Sequence, residues 1–276
     1  KTSKYKNMNN SRLNICFSKL KKKKKPAFIA FLTACDPSFS MSLKLLKAMP
    51  QSGVDIIEIG MPFSDPMADG PIIQRSYIRA LKSGSSLIKT LNLVRNFRST
   101  NNSTPVVLMG YYNPILQMGL KKFINKAKAS GVDGILIVDL PPEVSGELSL
   151  ELNTSKIDMI RLASPTTTIE RMHSILKASS GFIYYVSITG VTGSKINKIL
   201  SIKKNYMYLK KVINIPFVIG FGINSPKKAQ EISRYADGVV VGSDLIKEIE
   251  KGVENKSNIF NNVMNLVKKY SRAINK

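Results

Sequence analysis

The chain has 276 residues, 43% of them hydrophobic, and a formal net charge of +24. That length suits one large domain or two small ones, and no run approaches the ~20 apolar residues of a transmembrane span. Only two cysteines occur, Cys16 and Cys35, which argues against a disulfide scaffold and suits a reducing compartment.

Residues 1–25 are basic, and no acidic residue precedes Asp36. This stretch lacks the apolar core of a secretory signal. It reads as a helical or extended basic extension, with a single domain following over 26–276. A bacterial cytoplasm is favoured over a plastid stroma. The excess of positive charge raises nucleic-acid binding as a possibility. Against it, the lysines are spread along the whole chain, and no zinc-finger or RNP signature appears. Between Glu170 and Glu231 there is no acidic residue at all, so one sector of the molecule should attract anions.

From residue 27 onward, strand-like and helix-like runs alternate. Strands are predicted at Ala27–Thr33, Val54–Ile59, Pro105–Gly110, Gly134–Val138, Asp158–Leu162, Gly181–Val186, Pro216–Gly220 and Gly238–Val241. Amphipathic helices are predicted at Met41–Met49, Ile72–Lys82, Leu87–Phe97, Leu120–Ala129, Ile169–Lys177, Ser201–Val212, Pro226–Tyr235 and Asp244–Lys251, with a further outer helix over Asn258–Ile274. Ser225 before Pro226 reads as a helix start, and Gly53 and Gly131 read as helix stops. SGVDIIEIGMP (Ser52–Pro62) echoes SGVDGILIVDLP (Ser130–Pro141): each runs from a stop glycine through a buried strand to an acid and a proline. Eight strand–helix units in this length predict an α/β fold, a (β/α)₈ TIM barrel with the basic extension over its bottom. An open doubly wound sheet is the alternative, disfavoured because no GxGxxG follows the first strand.

The second strand carries the most chemistry. Side chains alternate in a strand, so Val54, Ile56 and Glu58 share one face. Glu58 then sits among aliphatics at a strand end, where an unpaired carboxylate is costly. Asp65 and Asp69 follow in a polar loop, and Gly70-Pro71 opens a helix. Glu58 and Asp69 read either as an acid–base pair or as a structural ion pair with loop-capping aspartates. In a barrel the site lies at the C-terminal strand ends. Those ends hold Thr33, Cys35 and Asp36; Tyr111, Tyr112 and Asn113; Asp139; Ser187, Thr189, Gly190, Thr192 and Gly193; Gly220, Phe221 and Gly222; Gly242, Ser243 and Asp244. Glycine turns at three consecutive strand ends, within the acid-free sector, point to a phosphate held by backbone N–H groups and a helix N-terminus. The single histidine, His173, falls in a helix away from these ends, and no metal-ligand cluster is visible. The pattern points to metal-free carboxylate chemistry on a phosphorylated small molecule.

FLTACDP (Phe31–Pro37), DIIEIGMPFSDPMADGPIIQ (Asp55–Gln74), VVLMGYYNP (Val106–Pro114), DGILIVDLPPE (Asp133–Glu143), YYVSITGVTGS (Tyr184–Ser194), GFGI (Gly220–Ile223) and ADGVVVGS (Ala236–Ser243) together resemble the tryptophan synthase alpha chain family. The resemblance implies a lyase that cleaves indole-3-glycerol phosphate to indole and glyceraldehyde 3-phosphate. It implies Glu58 as the general acid–base and Asp69 as the acceptor of the indole N–H. Phe31, Met109 and Leu136 would line the indole slot, and Tyr184 would stand near the glycerol end, with Tyr111 counted among the substrate-binding residues. Gly193, Phe221, Gly222, Gly242 and Ser243 would hold the phosphate, and Thr192 would close over the site. The resemblance further implies a cofactor-free chain in an α₂β₂ complex with a beta chain that carries pyridoxal phosphate, and Pro62 and Asp65 would face that partner. Cys35 stands where the family commonly has glycine, which crowds the turn if that position needs a positive φ. The loop after Ser194 is rich in lysine (Lys195, Lys198, Lys203, Lys204).

Overall fold

A computed structural model describes residues 11–186, 195–220 and 222–276. In chain order the elements begin with α1 (Arg12–Lys22), β1 (Ala27–Thr33), α2 (Phe39–Ala48), β2 (Ile56–Gly60), α3 (Pro71–Lys82), α4 (Leu87–Arg98), β3 (Val106–Gly110), α5 (Tyr112–Met118), α6 (Leu120–Ser130) and β4 (Gly134–Ile137). They continue with α7 (Gly146–Ser155), β5 (Asp158–Ala163), α8 (Ile169–Lys177), β6 (Ile183–Val186), α9 (Lys195–Lys210), β7 (Phe217–Gly220), α10 (Pro226–Ser233), β8 (Gly238–Val241), α11 (Ser243–Glu254) and α12 (Ile259–Ile274).

The strands close into a barrel in sequence order, each parallel to its neighbours, and β8 returns to β1. The anticipated (β/α)₈ barrel is therefore the fold. Every residue of β1, β2, β7 and β8 is buried, as expected for parallel strands covered on both faces. The register Phe31↔Glu58, Gly60↔Met109, Met109↔Leu136 and Tyr184↔Val218 puts these residues on one face. That face is the barrel interior.

Helix caps follow the sequence signals. Ser38, Ser86, Thr168 and Ser225 each accept a hydrogen bond from a backbone N–H in the first turn of the helix they open. Gly131 ends α6 in the left-handed conformation, with φ 84°. Boundaries shift by a residue or two. The second strand starts at Ile56 rather than Val54, because Val54 N–H turns back to Met49 and Asp55 Oδ2 accepts the Phe28 N–H. The sixth starts at Ile183, since Gly181 has φ 74°.

Two helices escaped the sequence reading. In α7, Leu148, Leu150 and Leu152 alternate with polar residues in a strand-like period of two. The fold uses helical spacing instead: Leu148 and Leu152 are buried, and Leu150 is 70% exposed. The other, α5, is a short turn of helix immediately after β3. At the bottom of the barrel, α1 buries Leu13, Phe17 and Leu20. Leu13 packs against Gly134 and Gly181 near the strand starts, where an added Cβ would stand 3.1 Å and 3.3 Å from its Cδ1. The expected helix over the barrel bottom is thus part of the core.

Candidate active site

β2 delivers Glu58 to the barrel interior, opposite Phe31 of β1. The side chain is 1% exposed, and neither carboxylate oxygen has a hydrogen-bond partner among the described residues. Burial, helped by the negative charge of Asp69, pushes its pKa up to about 8. The proton is therefore held at neutral pH. An ordinary structural ion pair does not behave this way, and no cation contacts Glu58 in the described structure.

Asp69 comes in from the loop between β2 and α3. Its Oδ2 accepts the Tyr111 hydroxyl proton at 2.7 Å, and its backbone carbonyl accepts from Gln74 Nε2. Burial raises its pKa, and the Tyr111 hydrogen bond works against that rise. Two buried carboxylates thus occupy one site in different settings. Glu58 has no donor, while Asp69 has one that favours its ionised form. This is how a site separates an acid from a base.

Asp69 lines a small open cavity at the C-terminal strand ends. Phe31, Met109, Tyr184, Gly222, Gly242 and Ser243 line it. Ile73, Ile223 and Val240 line it as well, and the sequence reading assigned none of the three to the site. Tyr111 and Leu136 do not reach the cavity wall. Tyr111 instead holds Asp69, and Leu136 is fully buried between Met109 and Ile160 in the strand register. Thr192, Gly193 and Phe221 lie outside the described residues. His173 is exposed on α8.

Two backbone features make one end of the cavity suited to an anion. Gly222 takes φ 70°, a conformation open to glycine at little cost. Gly242 and Ser243 open α11, whose first N–H groups have no partners within the helix and whose dipole favours negative charge. Lys228 Nζ donates to the Gly222 carbonyl, which ties the loop after β7 to α10. Asp244, the acid in the first turn of α11, accepts the Tyr270 hydroxyl proton from α12 at 2.7 Å.

Gly60 and Gly220 are required by close approach. A Cβ on Gly60 would stand 2.6 Å from Phe31 Cζ, and one on Gly220 would stand 2.1 Å from Tyr184 Oη. Cys35 adopts φ 64°, so its position does need the left-handed backbone. A non-glycine residue there costs about 1–2 kcal/mol. Beside it, Asp36 is fully buried and paired with Arg79, which also binds Glu250 of α11. In the loop after β2, Pro62 is buried, while Asp65 and Met67 are exposed, the latter at 85%. Among the described residues no cluster of His, Cys, Asp or Glu could hold a metal ion.

A family model described as "Tryptophan synthase alpha chain" matches residues 17–275. Among solved structures, tryptophan synthase subunit alpha from Legionella pneumophila str. Paris is 38% identical, with a TM-score of 0.89, over 96% of this chain and 98% of that one. A structure from Aquifex aeolicus VF5 is 35% identical, with a TM-score of 0.87, over 97% and 100%. Tryptophan synthase from M. tuberculosis in an aminoacrylate-bound form is 30% identical, with a TM-score of 0.85, over 96% and 100%.

Proposed function

The chain belongs to the tryptophan synthase alpha chain family, lyases that cleave indole-3-glycerol phosphate to indole and glyceraldehyde 3-phosphate, and we propose that Glu58 and Asp69 carry that cleavage. The observation that supports this is the buried Glu58 carboxyl without a hydrogen-bond partner among the described residues, its pKa pushed up to about 8 by burial and by the charge of Asp69, a second carboxylate that has its own donor.

The steps follow from the protonation states. Glu58, as the acid, gives its proton to C3 of the indole ring. The ring nitrogen becomes cationic, and ionised Asp69 accepts its N–H. Glu58, now a carboxylate, takes the proton of the glyceryl hydroxyl as the bond between C3 and the side chain breaks. The electron pair of that bond returns to the ring, indole and the aldehyde leave, and Glu58 is protonated again. Both carboxyl groups act where water is largely excluded, so their charges count for more than in solution.

We assign the indole slot to Phe31 and Met109, backed by Leu136, and the glycerol end to Tyr184. The phosphate falls to Gly222, Gly242 and Ser243, joined by Gly193 and Phe221. Thr192 is assigned to closure of the site. The family's alpha chain needs no cofactor, and pyridoxal phosphate belongs to the beta chain of the complex. A beta chain is the partner, and we propose an α₂β₂ assembly. Exposed Asp65 and Met67 would face the partner, and buried Pro62 would stiffen the loop beneath them. We take residues 26–276 as one barrel domain and 1–25 as a basic extension whose helix α1 packs into the barrel bottom. We place the chain in a reducing cytoplasm, which a content of two cysteines suits.

The test is indole release from indole-3-glycerol phosphate by the purified chain, with and without a beta chain. Slow release that rises strongly with the partner is expected. A folded chain that releases no indole under either condition would overturn the reading.

A further inference from the structure

Tyr77, on α3, is 0% exposed, and its hydroxyl has no hydrogen-bond partner among the described residues. Glu58 is in the same condition at both oxygens. Buried polar groups are nearly always paired, so two unpaired ones in the same neighbourhood call for a reason. They are complementary: a phenol has one proton to donate, and an ionised carboxylate only accepts.

Their nearness can be read from Gly60. A Cβ on Gly60 would stand 3.1 Å from Tyr77 Oη and 2.6 Å from Phe31 Cζ. Gly60 lies two residues beyond Glu58 on β2, so both positions share the interior face. The absent side chain at Gly60 leaves the space through which Tyr77 reaches that face. Burial pushes the Tyr77 phenol well above its usual range, and the charges of Asp69, Tyr111 and Glu58 add to the rise. The titratable groups around Glu58 are thus Asp69 from the loop after β2, Tyr77 from α3 and Tyr184 from β6. The Tyr111 proton is already committed to Asp69.

We propose that Tyr77 is a positioning residue for the cleavage, its hydroxyl donating to the Glu58 carboxylate once that group has given up its proton. The carboxylate accepts this bond more strongly than the neutral carboxyl does, so the contact stabilises the state reached after C3 protonation more than the ground state, which is the condition for accelerating a step. It also aims the carboxylate for removal of the glyceryl proton. The proposal rests on Glu58 being the acid–base.

The experiment compares the full chain with Tyr77→Phe and Glu58→Gln, each with its beta chain, by following indole release against pH. Tyr77→Phe keeps the ring and removes only the donor. It is expected to lower kcat about tenfold with KM within about twofold, and to move the alkaline limb of the profile up by about one pH unit, the range of a hydrogen bond to a charged group. If Glu58→Gln is inactive while Tyr77→Phe has the wild-type profile and kcat, the role of Tyr77 is overturned and that of Glu58 stands. If Glu58→Gln is active, the reading of Glu58 fails, and the proposal fails with it. Should Tyr77→Phe not fold, 3-fluorotyrosine at position 77, a stronger donor of nearly the same shape, is expected to move the limb downward. An unmoved limb overturns the proposal.

Discussion

Tyr111 donates its hydroxyl proton to Asp69 Oδ2 across 2.7 Å, and its oxygen accepts the Ala68 N–H at 3.0 Å. One phenol at the end of β3 thereby fixes the direction of a carboxylate that arrives on a loop, and favours its ionised form against the burial that raises its pKa. Tyr111→Phe should lower kcat about tenfold, the scale of one hydrogen bond to a charged group. It should also move the acid limb of the activity profile upward, because the bond that favours ionised Asp69 is gone. A pH profile of indole release checks both effects, and an unmoved acid limb would detach Tyr111 from Asp69.

Glu58→Gln should abolish indole release and leave the fold intact, since the two side chains are nearly the same shape. It should also stabilise the protein at higher pH. Burial raises the Glu58 pKa from 4.5 to about 8, so across that window the folded chain keeps a proton that the unfolded chain has lost. Stability then falls as pH rises from about 4.5 through about 8, by a total of a few kcal/mol. Glutamine does not titrate, so its advantage over the wild type should grow across the same window. Denaturant melts at pH 5 and pH 8 would show it, and parallel curves at both pH values would contradict the buried, protonated carboxyl.

Tyr270→Phe tests the anion end of the cavity from a distance. Tyr270 holds the Asp244 carboxylate at the first turn of α11, beside Gly242 and Ser243. Released, that negative charge should compete with the substrate phosphate at the helix N-terminus. A severalfold rise in KM with little change in kcat is expected, the size of a charge effect of about 1 kcal/mol at a helix N-terminus. A change in kcat alone would place the effect elsewhere.

Gly60→Ala puts a Cβ 2.6 Å from Phe31 Cζ. The ring must move, and Phe31 both lines the cavity and lies opposite Glu58 in the strand register. The expected cost is about 1–3 kcal/mol of stability, with a larger loss of activity than of fold. Melting temperature and kcat measured together separate the two, and unchanged activity would mean that Phe31 yields without disturbing the site.

Much of this site is legible before folding. A lone carboxylate in an aliphatic strand, IIEIG, is a local anomaly that period-two alternation assigns to a face, and Glu58 does lie on the interior face. The glycine turns near Gly222 and Gly242 are local as well, because left-handed backbone and close approach leave their mark on residue choice. Tyr77 carries no such mark. A tyrosine on the buried stripe of a helix looks like any other core aromatic, and its meaning depends on the missing Cβ at Gly60, a residue of another element. Tyr111 was placed at the correct strand end, but its bond to Asp69 joins two elements and has no local mark.

The sequence by itself determined the eight buried strands, their punctuation by stop glycines and capping serines, and the acid at the end of the second strand, because each depends on residues close in the chain. Only the tertiary structure decided which side chains meet. Closure of β8 onto β1 at Ala27↔Gly238 completes a ring of parallel registers, and those registers set Phe31 opposite Glu58 and Tyr184 over Gly220. Contacts between distant segments depend on register and closure, which no local pattern of residues encodes.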